Sequence, residues 1–593
     1  MTDRRFSAPD LARRLLAPIA ALLGLVAGLS VLILPSPAPT TADPTTFSAE
    51  RAMASINRLA DEPHSVLRRE AHDRARDDVV GMFTDLGYTA NVHSDPLFDF
   101  SIPEDKETFD MLSTEQQAAV KDATADTIVV DVPGKSERTM ALMAHYDSAT
   151  VEGTENDEQS YSSGTSHGAA DDGYGVAAII ETLRAIKAEG RQPENSLKIV
   201  ITDGEEIGLV GARNEMRHHR ADYDNVDLFL NLEARGMSGP AFMFETSPNN
   251  SAVAGYFLSH VKQPVTGSLL PSLYARMPNT TDMAKVIPEG FTVLNIAAIG
   301  EADHYHHATD APRYVNHSTL QHYGDQVLDL TRAWAFDGQT PTLTANGDLH
   351  FFQLWRGMTV SYPATVGTGL GCLAIIAALG VVVVRARSLR WKRVLGTVWG
   401  LTWRAASVSA AAGLVQLGAM AMKWAPETGI GPNPLLPWMF AGGALIGAGL
   451  TAHFVVRRWK EGLGQETLAA VLLLLAAACV PLMVLLPGAA YVLVLPTLTL
   501  ALTALAPQRV RPVVGALAAF IMVVIFAPTV LLIHELLSLS AVWVTVFFAI
   551  VPVAPLALVL LQAGSRRTAR GAGTASGAAH NSTPVVGQVA ATV

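Results

Sequence analysis

Five short segments of the chain carry side chains able to hold a divalent metal. In His145-Tyr146-Asp147 an imidazole precedes a carboxylate by two residues. One ring nitrogen can bind a metal while the acid accepts the other N–H and fixes the tautomer. Taken alone, a buried histidine tied to a nearby acid is the better reading. In Gly168-Ala169-Ala170-Asp171-Asp172-Gly173-Tyr174-Gly175-Val176 two adjacent acids stand at a helix start. They can cap the helix or supply a carboxylate that bridges two ions, and the segment does not separate these. In Asp203-Gly204-Glu205-Glu206-Ile207-Gly208 one glutamate can bind a metal while its neighbour takes a proton from an activated water; a solvated turn is the plain alternative. Glu233 closes Asn231-Leu232-Glu233. His304, His306 and His307 crowd the segment Asp303–Asp310.

Together these segments offer His, Asp, Glu, Glu and His. Oxygen and imidazole donors without sulfur suit catalytic zinc. Five ligands with one bridging carboxylate suit two ions, which clamp an attacking water and a substrate carbonyl. Cysteine takes no part: Cys372 and Cys479 are the only two, and both lie in apolar runs.

The elements that must position these residues are legible as apolar runs. Ile128–Val130, Thr139–Ala144, Leu197–Thr202, Leu228–Leu232 and Phe291–Ile299 are short, rich in Val, Ile, Leu or Phe, and bounded by polar or Gly/Pro residues, as strands are. Residues 47–87 and 176–188 have helical periodicity, the latter with Val176, Ile179, Ile180, Leu183 and Ile186 on one face. The expected class is α/β, a mixed, mostly parallel sheet flanked by helices. The metal-binding segments fall just past strand ends, where open α/β sheets place ligands.

Charge divides the 593 residues sharply. Residues 35–358 carry 48 Asp/Glu against 24 Lys/Arg, whereas the remainder carries 6 against 19. So acidic a domain repels nucleic acid. The basic residues elsewhere sit beside apolar runs. The first run, Leu15–Leu34, has 20 residues without a charge and follows Arg4, Arg5, Arg13 and Arg14. It is long enough to cross a bilayer, and its length favours an uncleaved signal anchor over a cleaved signal peptide. Seven more runs follow, roughly 362–384, 401–422, 435–456, 466–486, 489–506, 512–533 and 541–562. Arg404 makes the run 401–422 the weakest.

Eight spans put both termini on one side. With a cytoplasmic N-terminus, the cytoplasmic segments carry 17 Lys/Arg and the short loops opposite carry only Lys423, the bias that orients membrane proteins. The expected organisation is a cytoplasmic segment 1–14, a signal-anchor helix 15–34, an extracytoplasmic domain 35–358, an all-α multi-span membrane domain 359–562 and a disordered tail 563–593 rich in Gly, Ala, Ser and Thr.

The ordered set HYDS, GAADDGYGVA, DGEEIGLVGA, NLEARG, NTTD and HHATDAPRYV resembles the co-catalytic two-zinc aminopeptidases. It is most similar to their vacuolar membrane protease and endoplasmic reticulum metallopeptidase branch, which joins such a domain to a multi-span membrane region. The resemblance covers roughly residues 47–335 and implies a zinc aminopeptidase-like fold. It implies that His145 and Glu233 bind one Zn2+, that Glu206 and His306 bind a second, and that Asp171 bridges them. Glu205 would be the general base and Asp147 would orient His145. His306 is the ligand because it stands four residues before Asp310, as in the family pattern. The stretch 148–167 is a polar insertion, read as a loop at the site rim.

The function implied is a membrane-bound zinc metallopeptidase, an aminopeptidase type, that hydrolyses peptides through a metal-bridging water activated by Glu205. Its partners are peptide substrates and the lipid bilayer, with no nucleic acid. Glutaminyl-cyclase-like chemistry on the same fold is one alternative; a non-catalytic binding or transport protein is another. Arg outnumbers Lys 33 to 10, which points to a bacterial cell membrane with the catalytic domain outside; a vacuolar or other organelle membrane is the alternative.

Overall fold

A seven-stranded sheet organises the first half of the chain, with strand order β1-β2-β4-β3-β5-β7-β6. The strands are β1 Asn91–Pro96, β2 Thr124–Val132, β3 Ser136–His145, β4 Asn195–Thr202, β5 Val226–Ala234, β6 Ser238–Thr246 and β7 Val293–Gly300. β4, β3, β5 and β7 run parallel, and β1, β2 and β6 add antiparallel flanks. The sheet is therefore mixed around a parallel centre. The computed structural model describes residues 8–151, 161, 164–277, 280–338, 342–421, 436–537 and 542–564. The expected tail beyond residue 564, the middle of the insertion 148–167 and Asn279 of the NTTD motif lie outside the described residues.

Successive strand side chains point to opposite faces, and each face is buried. Met140, Leu142, Ala144, Leu197, Ile199, Ile201, Leu228, Leu230 and Leu232 pack with the helices Ala49–Leu59, Gly173–Ala188 and His317–Phe336. Ala141, Met143, Val200, Phe229 and Val293 pack on the other face with Met216, Met283 and Val286. Truncating a leucine such as Leu142 in this interior costs about 2–5 kcal/mol.

Three elements differ from the sequence expectation. Residues 47–87 form two helices, Ala49–Leu59 and Arg69–Asp85, because Pro63 disfavours helix at and before itself. β1 reads NVHSDP and has a mostly exposed pattern, so it lacks an apolar run. β6 contains Gly239-Pro240, which an edge strand tolerates.

Five helices among the described residues are long and apolar enough to cross a membrane: Ala12–Leu32, Ala364–Ser388, Gly464–Leu485, Arg511–His534 and Trp543–Gly564. The runs 401–422 and 435–456 fall on the helices Trp391–Ala421 and Leu436–Lys460, and the run 489–506 on the shorter helix Tyr491–Leu505. The first helix packs along Arg511–Leu537. Gly24 and Gly28 permit the close approach, since a Cβ at Gly24 would lie 2.8 Å from the Phe520 carbonyl oxygen, the small-residue packing usual in membranes.

The α/β domain rests on one end of these helices. Ser268 Oγ donates to the Gly488 carbonyl at 2.7 Å, and Phe352 stacks on Tyr491 at 4.9 Å. Phe352 belongs to a hairpin of β8 (Leu349–Trp355) and β9 (Met358–Pro363) that leads straight into helix Ala364–Arg385. The basic residues gather at the opposite end. Arg390 pairs with Glu466 at 2.6 Å, and Arg385 and Arg511 donate to the carbonyls of Ala504 and Ala506. The helix from Gly464 to Leu485 separates the two ends, a length of about 30 Å at 1.5 Å per residue.

Candidate active site

Strand register decides which residues meet. Thr202 at the end of β4 pairs with His145 at the end of β3. Met143 pairs with Asn231 of β5, so the next residues on the same face, His145 and Glu233, finish side by side. The chain turns after β4 at Gly204, whose φ of +65° suits glycine, and presents Glu205 and Glu206. Asp171 stands before helix Gly173–Ala188, and Asp172 caps it by accepting the Gly175 N–H at 2.9 Å. His306 arrives from the loop after β7 with a φ of +59°. A non-glycine residue there stores about 1–3 kcal/mol of strain.

These side chains converge. One ligand atom from each of His145, Asp171 and Glu233 lies within 4.8 Å of the others, and the same holds for Asp171, Glu206 and His306. Asp171 belongs to both groups. Its Oδ1 is 3.3 Å from His145 Nε2 and its Oδ2 is 3.3 Å from His306 Nε2. His306 Nε2 is also 3.1 Å from Glu206 Oε2. Glu205 stands beside them, within the same reach of His145 and Glu206. His304 is turned away, its Nδ1 3.0 Å from the Thr309 carbonyl.

Asp147 has two tasks. Its backbone carbonyl is 3.0 Å from His145 Nδ1, and its Oδ1 is 3.4 Å from the same nitrogen. Its carboxylate also accepts the backbone N–H groups of Glu205 and Glu206 at 3.1 and 3.2 Å, so it ties the histidine to the glutamate turn. Both described ends of the insertion 148–167 are bonded to residues of the site. Thr150 Oγ1 donates to the Glu206 carbonyl, and Ser166 Oγ donates to Asp310.

The electrostatics call for a cation. Burial pushes the carboxyls of Glu205 and Glu233 well above the usual range, and Glu206 to about 7. Burial alone would lower His306, but Glu206 and Asp171 raise it to about 10. Burial likewise opposes ionisation of Asp171, yet the imidazoles of His145 and His306 beside it overcome this and hold Asp171 low. Asp171 Oδ2, Glu206 Oε1 and both ring nitrogens of His306 are buried and make no hydrogen bond. Buried polar atoms are costly in that condition. Carboxylate oxygens and imidazole nitrogens without sulfur fit zinc in this position.

Several residues support the site: Asp203, Asp282 and Asp310 stand inside the quoted motifs without an assigned role, and Tyr323 stands outside them. Asp310 accepts from the Ala170 N–H at 2.7 Å and the Asp171 N–H at 3.3 Å, and so fixes the loop that presents Asp171. Asp203 accepts from the Asp126 N–H and meets His72 Nε2 at 3.1 Å beneath the glutamate turn. Tyr323 Oη accepts the Glu233 N–H at 2.7 Å. Asp282, from the NTTD motif, accepts from the Thr202 hydroxyl, and burial raises it to about 6.

Residues 127–331, which contain every one of these converging side chains, match the profile of peptidase family M28. The chain carries a peptidase family M28 domain.

Curated relatives of the M28 domain include the vacuolar membrane protease of Lodderomyces elongisporus, 29% identical over 210 residues, or 35% of this chain and 20% of that protein. Endoplasmic reticulum metallopeptidase 1 of Mus musculus is 23% identical over 219 residues, or 36% of this chain and 24% of that protein. The matches thus span about a fifth to a quarter of the relatives' length. One name gives the vacuolar membrane and the other the endoplasmic reticulum; neither gives a bacterial cell membrane. A solved Zn-dependent exopeptidase from Parabacteroides distasonis shares 19% identity over 48% of this chain and 98% of its own, with a TM-score of 0.36. A zinc aminopeptidase from Bacillus subtilis shares 12% identity over 51% and 98%, with a TM-score of 0.36. The M28 domain is joined here to apolar helices, and the whole is a multi-pass membrane protein.

Proposed function

We propose that this chain is a membrane-bound zinc metallopeptidase of the aminopeptidase type, with two Zn2+ per M28 domain. The sharing of Asp171 between two three-residue groups carries this reading. His145 and Glu233 would hold one ion, Glu206 and His306 the other, with Asp171 between. A bound zinc pair supplies Lewis acidity to a scissile carbonyl and acidifies a water. Glu205, beside His145 and Glu206, would take the proton from that water and return it to the leaving amine. Asp147 holds the His145 ring and the Glu205 turn in one register. Asp171 and His306 keep the two halves of the site together.

The domain would face away from the cytoplasm. Its seat on the helix ends remote from Arg385, Arg390 and Arg511 supports this, because basic residues mark the cytoplasmic side. Peptides are the substrates in this reading.

The test is zinc content and aminoacyl-nitroanilide hydrolysis of the purified full chain, wild type against Glu205→Gln. The two proteins should hold equal zinc, with two ions in the site around Asp171. Turnover of the variant should fall about 10²–10⁴-fold, the usual worth of a general base. Full activity in the variant removes Glu205 from that role, and a single zinc per wild-type chain removes the pair.

A further inference from the structure

A second cluster of metal-binding side chains lies outside the acidic site and shares no residue with it. His93 comes from the edge strand β1, Glu215 from the helix Val210–His218, and His219 from the position just after that helix. One ligand atom of each lies within 4.8 Å of the other two. We propose that His93, Glu215 and His219 hold a zinc-class divalent ion that fastens β1 to this helix.

The geometry is that of a shallow cup. The Glu215 side chain is fully buried, whereas the His93 and His219 side chains are 20% and 27% exposed. The carboxylate forms the floor and the imidazoles form the mouth, their rings stacked at 4.0 Å between centroids. The carboxylate is held in place from one side. Tyr223 Oη donates to Glu215 Oε2 at 2.6 Å, while His93 Nδ1 lies 3.0 Å from Oε1. Asp95 orients the second histidine, with its Oδ2 2.9 Å from His219 Nε2, and its other oxygen meets His218 Nδ1 at 2.7 Å. An acid behind a ligating histidine fixes the ring and raises its basicity.

Two further facts favour an ion over a plain ion-pair network. Exposed histidine–carboxylate pairs contribute little by themselves, yet three of the chain's 17 histidines are gathered on this small patch. The cluster also sits at the C-terminal end of helix Val210–His218, where the helix dipole favours positive charge. Two imidazoles and a carboxylate suit zinc or its neighbours in the transition series. The site has a structural consequence too. The first turn of the same helix is bonded to the glutamate turn, with Val210 N–H donating to the Gly204 carbonyl and Gly211 N–H to that of Asp203. An ion at the far end would anchor the element that carries this turn to the sheet edge.

The experiment is equilibrium dialysis of the full-length chain in detergent against buffered zinc, with zinc per chain counted by elemental analysis. The wild type should hold one ion more than His93→Ala/His219→Ala. An Asp171→Asn variant, altered only in the acidic site, should keep that ion, so failure of the proposed catalytic pair and failure of this site give different results. Equal zinc in the wild type and the double variant overturns the proposal. So does complete loss of zinc in Asp171→Asn.

Discussion

The carboxylate of Asp310 accepts the backbone N–H of Asp171 at 3.3 Å with one oxygen and that of Ala170 at 2.7 Å with the other. The loop after β7 thereby holds the loop before helix Gly173–Ala188, and His306 and Asp171 are fixed relative to one another. Burial and the nearby Asp171 raise Asp310 to about 7, so its grip is made at some electrostatic cost. Asp310→Asn replaces one of two acceptors with a donor that faces an N–H. Zinc affinity should fall about 10–100-fold, the usual effect of losing a group that orients ligands. Competition with a chelator measures this, and unchanged retention would show that Asp310 only fills space.

Removing metal should destabilise the folded chain. Glu205, Glu206, Glu233 and Asp171 converge in a buried site with two histidines, and without an ion their burial is uncompensated. An ion that binds only the folded state stabilises it by about 4 kcal/mol at a free concentration a thousandfold above Kd. Chelation should lower the thermal midpoint of the solubilised chain, and zinc should restore it. A midpoint indifferent to chelation contradicts a metal-loaded site.

Acid should weaken the fold through His322, which is not one of the metal-binding residues. Its Nδ1 accepts the Ala241 N–H at 3.1 Å and its Nε2 donates to the Gln263 carbonyl, so the neutral ring satisfies both partners. Burial pushes it down to about 4. An unfolded histidine titrates near 6.5, so between pH 6.5 and 4 the unfolded chain binds a proton that the folded chain refuses. The stability is present above pH 6.5 and is lost as pH falls toward 4, by up to about 3 kcal/mol. Thermal unfolding at pH 7 and pH 5 should show a smaller acid loss in His322→Gln than in wild type. An identical loss in both would assign the acid sensitivity elsewhere.

The sheet's parallel centre was legible because β3, β4, β5 and β7 are buried on both faces and read as apolar runs. The edge strand β1 was not, since its residues are mostly exposed and carry no apolar signal. The same contrast applies to the site. His145, Glu233 and the glutamate pair stand directly at strand ends, so sequence alone could nominate them. Asp310, Asp203 and Tyr323 act through backbone N–H groups and neighbouring rings, and a partner distant along the chain leaves no local trace.

By itself the sequence determined the residue types, their order and the asymmetry of charge. Those follow from local patterning: strand ends bearing ligands, helices without charge, basic clusters between them. Only the tertiary structure decided that Asp171 stands between His145 and His306, that His304 turns to the Thr309 carbonyl, and that His93 meets His219. The reason is geometric. Metal binding needs atoms within a few ångströms, and strand order, turn conformation and the positive φ at His306 set those separations.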